Sequence, residues 1–388
     1  MIIGVDTRTF AAGQLTGVGI YTWEILNHLL KLDADNQYKF FYSGFKQCRF
    51  ERRQRWLNLP RVSWHHYQLP NKLLNFSLKY FHRPFLDEVI GGCDIFWFPN
   101  LNFWQVSPAV KTVVTVHDLS FIKMPWTFSP KMRLWHQALS IKEKLQRAER
   151  IIAVSENTKT DIMESLGIKS EKIKVIYSGV GNQSETSEIK KIKSKYRLPE
   201  KFILFLGTLE PRKNVTGLIQ AYESLNRPEI DLVIAGGQGW LYKKIYHRAQ
   251  KSVLKNNIHF TGYVDPEERR SFYQSAEMLV WPSFYEGFGF PPLEAMSAGC
   301  PVITSANSSL PEVVGDGALL VDPYNIQEIK KAMELVLDNQ DVRKNMIEKG
   351  YLQARQYRWA DSAHELYSLF EELQTDKRVV LQSDKRVV

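Results

Sequence analysis

Short, almost wholly apolar runs alternate along this chain with longer segments whose apolar residues recur at helical spacing. In the first half the short runs are Met1–Val5, Tyr38–Tyr42, Val62–Tyr67, Asp94–Phe98, Thr112–Val116, Ile151–Val154 and Lys174–Tyr177, each predicted as a strand. Between them Ile20–Leu32 and Ser129–Ala148 carry the helical period. The second opens Ser129-Pro130, an N-cap residue followed by proline at the first helical position. Strand–helix repetition of this kind predicts a largely parallel sheet covered on both faces.

The alternation stops at a polar stretch from Gly181 to Glu188, which reads as a linker, and then restarts. Phe202–Leu206, Asp231–Ala235, Ile258–Phe260, Met278–Trp281, Val302–Thr304 and Ala318–Val321 are the strands of a second sheet. The expected architecture is therefore α/β, with two Rossmann-like, doubly wound domains across a cleft. Ligands of such sheets sit off the carboxyl ends of the strands. The boundaries fall at residues 1–182 and 183–354, with a tail at 376–388 in which Asp-Lys-Arg-Val-Val occurs twice.

A chain of 388 residues is too long for one ordinary core, which agrees with two domains. With 44% hydrophobic and 24% charged residues it has the composition of a globular protein. Three scattered cysteines form neither a disulfide framework nor a zinc site, and no other metal-ligand cluster stands out. A reducing cytoplasm is the expected location. The N-terminus lacks the basic lead-in and apolar run of a signal peptide, and no apolar stretch approaches the ~18 residues of a spanning helix.

The net charge of +9 is unevenly placed, since residues 46–83 hold nine cations against the single anion Glu51. Phe50, Trp56, Trp64, Tyr67, Phe76, Tyr80 and Phe81 are interleaved with them. Such a stretch suits peripheral contact with an anionic membrane face, and equally a solvated basic face with some aromatics in the core. No nucleic-acid-binding motif accompanies it, so no nucleic-acid partner is expected.

Four constellations carry chemistry. Glu286-Gly287-Phe288-Gly289-Phe290-Pro291-Pro292-Leu293-Glu294 follows a strand and leads into a helix that stops at Gly299. Its glycines let backbone approach a ligand, and its two carboxylates suit a polyhydroxylated one. Glu294 is expected in the first helical turn, where a carboxylate could instead serve the helix dipole. Gly207 to Asn214 places Arg212 and Lys213 at a helix start capped by Asn214. Two cations there are mutually unfavourable, so either an anion such as a diphosphate lies between them or both splay into water. His117-Asp118 ends the strand Thr112–Val116, as a cleft-facing pair or a structural one. Gly17 and Gly19 lack the spacing of a dinucleotide fingerprint and read as a flexible loop opening the helix from Ile20.

With these motifs in this order, together with Ser155-Glu156-Asn157-Thr158, Val175 to Val180 and Pro311 to Gly317, the chain resembles family 4 glycosyltransferases of the GT-B fold. The resemblance implies a retaining enzyme that needs neither metal nor cofactor, the nucleotide sugar being a substrate. It implies that Arg212 and Lys213 hold the donor diphosphate, that Glu294 binds the ribose and that Glu286 lies by the sugar. His117 would sit beside the transferring sugar, and Gly17 and Gly19 near the diphosphate or acceptor. The backbone of Gly287, Phe288, Gly289 and Phe290 would lean over the sugar, with Tyr263 and Val264 bordering the base. A C-terminal helix at 355–375 would rejoin the first, acceptor-binding domain.

The variant Glu210-Pro211-Arg212-Lys213-Asn214 with Val116 to Leu119 is most similar to bacterial mannosyltransferases of O-antigen and capsule assembly. GDP-mannose is the leading donor by this analogy, with UDP-glucose, UDP-galactose, GDP-fucose and dTDP-rhamnose open. The acceptor would be a saccharide or polyprenyl-diphosphate-linked sugar at the inner membrane face. A nucleotide-sugar epimerase and a non-catalytic sugar-nucleotide-binding protein are the alternatives on the same fold.

Overall fold

The computed structural model describes residues 1–12, 17–45, 59–181 and 189–384. Contacts divide the chain into two units. One comprises Met1–His117, Leu134–Gly179 and Trp359–Val388, the other Asp118–Arg133 and Val180–Arg358. The segment Asp118–Arg133, which the sequence reading assigns to the first half, thus clusters with the second unit.

The first unit is built on β1 (Ile2–Asp6), β2 (Gln37–Ser43), β3 (Val62–Tyr67), β4 (Ile95–Phe98), β5 (Lys111–Val116), β6 (Arg150–Ala153) and β7 (Ile173–Val175). All pairs are parallel, in the order β3-β2-β1-β4-β5-β6-β7, so the winding reverses between β1 and β4. Every residue of β4 is buried, as a strand covered on both faces requires. Its one polar handle, the Trp97 indole, donates to Thr115 at 3.1 Å. The C-terminal helix Trp359–Asp384 rejoins this unit by burying Trp359, Leu366, Phe370 and Leu373. Lys111 reaches the carbonyl of Leu373 at 2.7 Å, and Ser362 that of Tyr177 at 2.6 Å.

Two expectations for this half are corrected. The first helix begins at Gly17 and not at Ile20, so Gly17 and Gly19 form its opening turn and not a loop before it. Glycine weakens a helix interior, but costs less where the N–H groups have no intrahelical acceptor to meet. The single helix expected over Ser129–Ala148 is two, Pro130–Ala138 and Ile141–Arg147, with Ser140 left-handed between them at φ 48°. Leu139 and Ile141 are both buried. In one continuous helix they would point roughly 200° apart, and the break lets both face the core. Of the basic stretch, residues 46–58 lie outside the described residues, as do 182–188 of the linker and the second copy of the tail repeat beyond Asp384.

The second unit holds β8 (Phe202–Leu206), β9 (Asp231–Ala235), β10 (Ile258–Gly262), β11 (Met278–Trp281), β12 (Val302–Ser305) and β13 (Ala318–Val321). They are parallel in the order β10-β9-β8-β11-β12-β13. The winding reverses between β8 and β11, and such a switch point leaves a crevice at the carboxyl ends of the two strands. Close packing there demands glycine. A Cβ on Gly207 would stand 2.4 Å from the Trp281 ring. One on Gly236, at φ +143°, would stand 1.9 Å from the Gly207 carbonyl oxygen.

Candidate functional site

The loops that leave β8 and β11 meet at this switch point. The first turns through Pro211–Lys213 into the helix Val215–Leu225, whose start is capped by Asn214 accepting from the Gly217 amide at 3.2 Å. Asn214 is itself left-handed, φ 52°, and its amide nitrogen donates to the Pro323 carbonyl at 2.7 Å. This pins the residue that follows Lys213. From the other loop, the Phe284 amide and the Ser283 hydroxyl both donate to the Arg212 carbonyl, at 2.8 and 3.1 Å. Ser308 receives the Glu286 amide at 2.9 Å, and Ser309 donates to the carbonyls of Glu286 and Phe288. Each loop is thus held by hydrogen bonds before any side chain meets a ligand.

Four charged side chains converge here. Arg212 donates through Nη1 to Glu286 at 2.9 Å and to the Tyr285 carbonyl at 2.6 Å, and through Nη2 to Glu210 at 2.6 Å. Lys213 donates to the other Glu286 oxygen at 2.5 Å, which also receives the Trp281 indole N–H at 3.1 Å. All four residues are at least nine-tenths buried. The sequence reading offered an external anion between the cations or two side chains splayed into water. Neither side chain splays into water: the protein's own carboxylates pair with both, because two buried cations without counter-charge would be prohibitive.

Burial pushes the Glu286 carboxyl up, but Lys213 and Arg212 more than reverse it and hold it at about 2. Burial, reinforced by Arg212, lowers the Lys213 pKa. Burial also raises that of Glu210 against the pull of Arg212 and Lys213, with Glu286 and Asp118 adding to the rise. Arg212 remains charged, its pKa raised by Glu286, Glu210 and Asp118 against desolvation. Its Nε is buried and makes no hydrogen bond among the described residues, so one donor of the guanidinium is unused there. A phosphate oxygen is the partner such a donor takes.

Glu294 belongs to a neighbouring group. The helix runs from Phe290 to Ser297, with Gly289 at its N-cap, so Glu294 is its fifth residue and lies beyond the first turn where it was expected. Both prolines fall after Phe290, in the opening turn, where an N–H would have no intrahelical acceptor and its loss costs nothing. The carboxylate instead accepts from Tyr273 at 2.8 Å and faces Arg269 at 3.5 Å, whose Nε is also unpartnered. Of the residues expected over the donor, Tyr263 is partly exposed near Arg269. Val264 is in the core, so only its backbone could border a base. Phe288 is likewise buried, packed edge-on to Phe290 and Tyr357; Gly287 and Gly289 are buried too, and Phe290 alone of the four is partly exposed.

In the first unit His117 follows β5. Its Nε2 is 2.8 Å from the Pro99 carbonyl, which can only accept, so the proton is placed on Nε2. The Tyr21 ring stands edge-on to the imidazole at 4.7 Å, on the helix that Gly17 and Gly19 open. Sequence reasoning missed Glu210, Trp281, Tyr273 and Arg269. Of these only Glu210 carried a signal, as the acid two residues before Arg212.

Residues 186–353 match the family described as glycosyl transferases group 1, and residues 15–182 match glycosyltransferase family 4. The chain is 34% identical to O-antigen chain mannosyltransferase B of Escherichia coli over 265 residues, 66% of this chain and 69% of that one. It is 31% identical to the serotype-specific mannosyltransferase WbdA of the same organism, covering 66% of this chain but only 32% of that longer protein. Among solved structures, Anabaena HepE in complex with UDP and glucose superposes with a TM-score of 0.71 at 17% identity, over 96% of this chain and 100% of that one. The fold is GT-B, and the protein is a glycosyltransferase. It belongs to glycosyltransferase family 4, with the group 1 domain as its second half.

Proposed function

We propose that this enzyme is a retaining mannosyltransferase that moves mannose from GDP-mannose to a hydroxyl of a lipid-linked or oligosaccharide acceptor in O-antigen assembly, without a metal. The sugar is supported by the mannosyltransferase relatives. The binding of a nucleotide sugar is supported by one observation above others, the buried and unused Nε of Arg212 beside Lys213 at the β8–β11 switch point. In this reading the acceptor oxygen attacks the anomeric carbon from the face that the diphosphate leaves. The bond from that carbon to the diphosphate oxygen breaks, and the departing oxygen takes the acceptor proton. Arg212 and Lys213 stabilise the charge gathering on the diphosphate, while Glu294 accepts from the ribose hydroxyls.

A panel of nucleotide sugars with the purified protein in EDTA tests this. Slow release of GDP and mannose from GDP-mannose alone is the expected result. Release from a different donor would replace the sugar assignment. Release from none, with nucleoside diphosphates leaving thermal stability unchanged, would overturn the site.

A further inference from the structure

The first unit contains a cavity of about 580 Å³ that is lined by none of the residues assigned to the donor or to transfer above. Its walls come from the end of the helix Asn71–Tyr80, the 103–110 loop, and the broken-helix segment from Ala138 to Arg147. Its volume is that of a small-molecule site. It includes Thr112 at the amino end of β5, whereas His117 lies beyond the carboxyl end, roughly 16 Å away at the rise of a strand. The cavity is therefore separate from the His117 end of the sheet.

Three cations, Lys79, Lys144 and Arg147, line it against the single carboxylate of Glu143, and none of the three is ion-paired among the described residues. Lys144 is the most telling. It donates to the Trp104 carbonyl at 2.8 Å and lies 4.3 Å above the Trp104 ring, but its charge has no counter-anion among the described residues. Burial, with Arg8 and Arg147 beside it, pulls its pKa down to about 8. A half-buried ammonium in that state gains from any anion that enters.

The same helix supplies an apolar surface next to the cations. Leu74 and Leu78 are buried, while Leu73, Phe76 and Tyr80 form a second stripe at i, i+3 and i+7 that is more than half exposed, continued by Phe81. No acidic residue lies on this helix, and Lys72 and Lys79 flank the stripe. An exposed aromatic stripe on the helix that gives Leu78 and Lys79 to a cation-lined cavity is complementary to one chemistry, a phosphate carried on a hydrocarbon chain.

We infer that this cavity binds the phosphate end of a lipid phosphate or diphosphate, with Lys79, Lys144 and Arg147 on the anion and Phe76, Tyr80 and Phe81 against the chain. The inference rests on the proposed function only in taking an acceptor's carrier lipid as the source of that ligand. Binding itself needs neither donor nor turnover.

The test is titration calorimetry of the whole protein at pH 7 with farnesyl diphosphate, farnesol and inorganic pyrophosphate, without any nucleotide sugar. Farnesyl diphosphate is expected to bind at least tenfold more tightly than either of the others. Lys144→Gln combined with Arg147→Gln should weaken it at least tenfold, and Lys144→Arg should not. Circular dichroism of each variant confirms that the helices are intact. Pyrophosphate binding as tightly as farnesyl diphosphate would transfer the site to a soluble phosphate and overturn the lipid assignment. Absence of binding, or binding indifferent to the double substitution, would overturn the site. Because no donor is present, these outcomes stand apart from any failure of the mannosyl-transfer reading.

Discussion

Arg212 and Glu286, 74 residues apart in sequence, are joined by a 2.9 Å contact in a place where neither side chain is more than a tenth exposed. Together with Lys213 and Glu210 they make a cluster with two charges of each sign. Removing Glu286 therefore does more than delete a ligand contact, since it strands Arg212 and Lys213 with one carboxylate between them. Glu286→Gln should destabilise the ligand-free protein by about 3 kcal/mol, the usual result of unpairing a buried ion pair. Urea unfolding followed at pH 7 checks this. GDP should raise the thermal midpoint of the variant more than that of the wild type, because its phosphates replace the missing charge.

The pH dependence follows from the depressed pKa of Glu286. A carboxyl that titrates near 4.5 when unfolded and at about 2 when folded stabilises the protein fully above the unfolded value. That stabilisation is lost as pH falls through the folded one, so the gap between wild type and Glu286→Gln should be constant above about pH 5.5 and close between pH 4.5 and 2. A gap that stayed constant down to pH 2 would mean that Glu286 is not held by the cations.

Arg212→Ala should lower kcat/KM for the donor by about 10²- to 10³-fold, with both kcat and KM affected, since the guanidinium meets the leaving group. Arg212→Lys should recover only part of this, because a point charge cannot reproduce the fork of donors. Unchanged donor kinetics in Arg212→Ala would remove the residue from the site.

Glu294→Ala should mainly weaken nucleotide affinity. Tyr273→Phe, which removes only the 2.8 Å hydrogen bond that orients Glu294, should weaken GDP binding by a smaller factor, about three- to tenfold. Equal affinity of the Glu294→Ala variant and the wild type for GDP, measured by calorimetry, would refute the ribose assignment.

What could be read from sequence follows the physics of each element. β8 and β11 are continuous apolar runs because both faces are covered, so Phe202–Leu206 and Met278–Trp281 are legible to the residue. The Asn214 cap is legible because the side chain that starts a helix must be a short acceptor. The break at Ser140 is not, since no glycine or proline marks it and only tertiary burial of Leu139 and Ile141 demands it. Arg212, Lys213, Glu286 and Glu294 stand out in sequence by type and spacing. Their partners do not, because Trp281, Tyr273 and Arg269 arrive from elements whose residues look like ordinary strand and helix. The mutual neutralisation of Arg212, Lys213, Glu210 and Glu286 is a property of three-dimensional proximity, and no local window contains it.

Gly236→Ala should be among the most damaging single changes in the second unit, since backbone cannot yield as a side-chain tip would. Loss of soluble expression at 37 °C, with Gly181→Ala unaffected as the control in open space, is the expected outcome.

The crevice between β8 and β11 joins loops that are synthesised about seventy residues apart, and the sheet order makes these two strands neighbours only after β9 and β10 have been made between them. A nascent or partly unfolded chain therefore cannot offer a nucleotide half a site. Ligand binding then acts on folding as well as on chemistry. Any nucleotide that this crevice accepts will bind the finished unit alone, draw the folding equilibrium toward it, and protect the enzyme from proteolysis in proportion to the logarithm of its concentration.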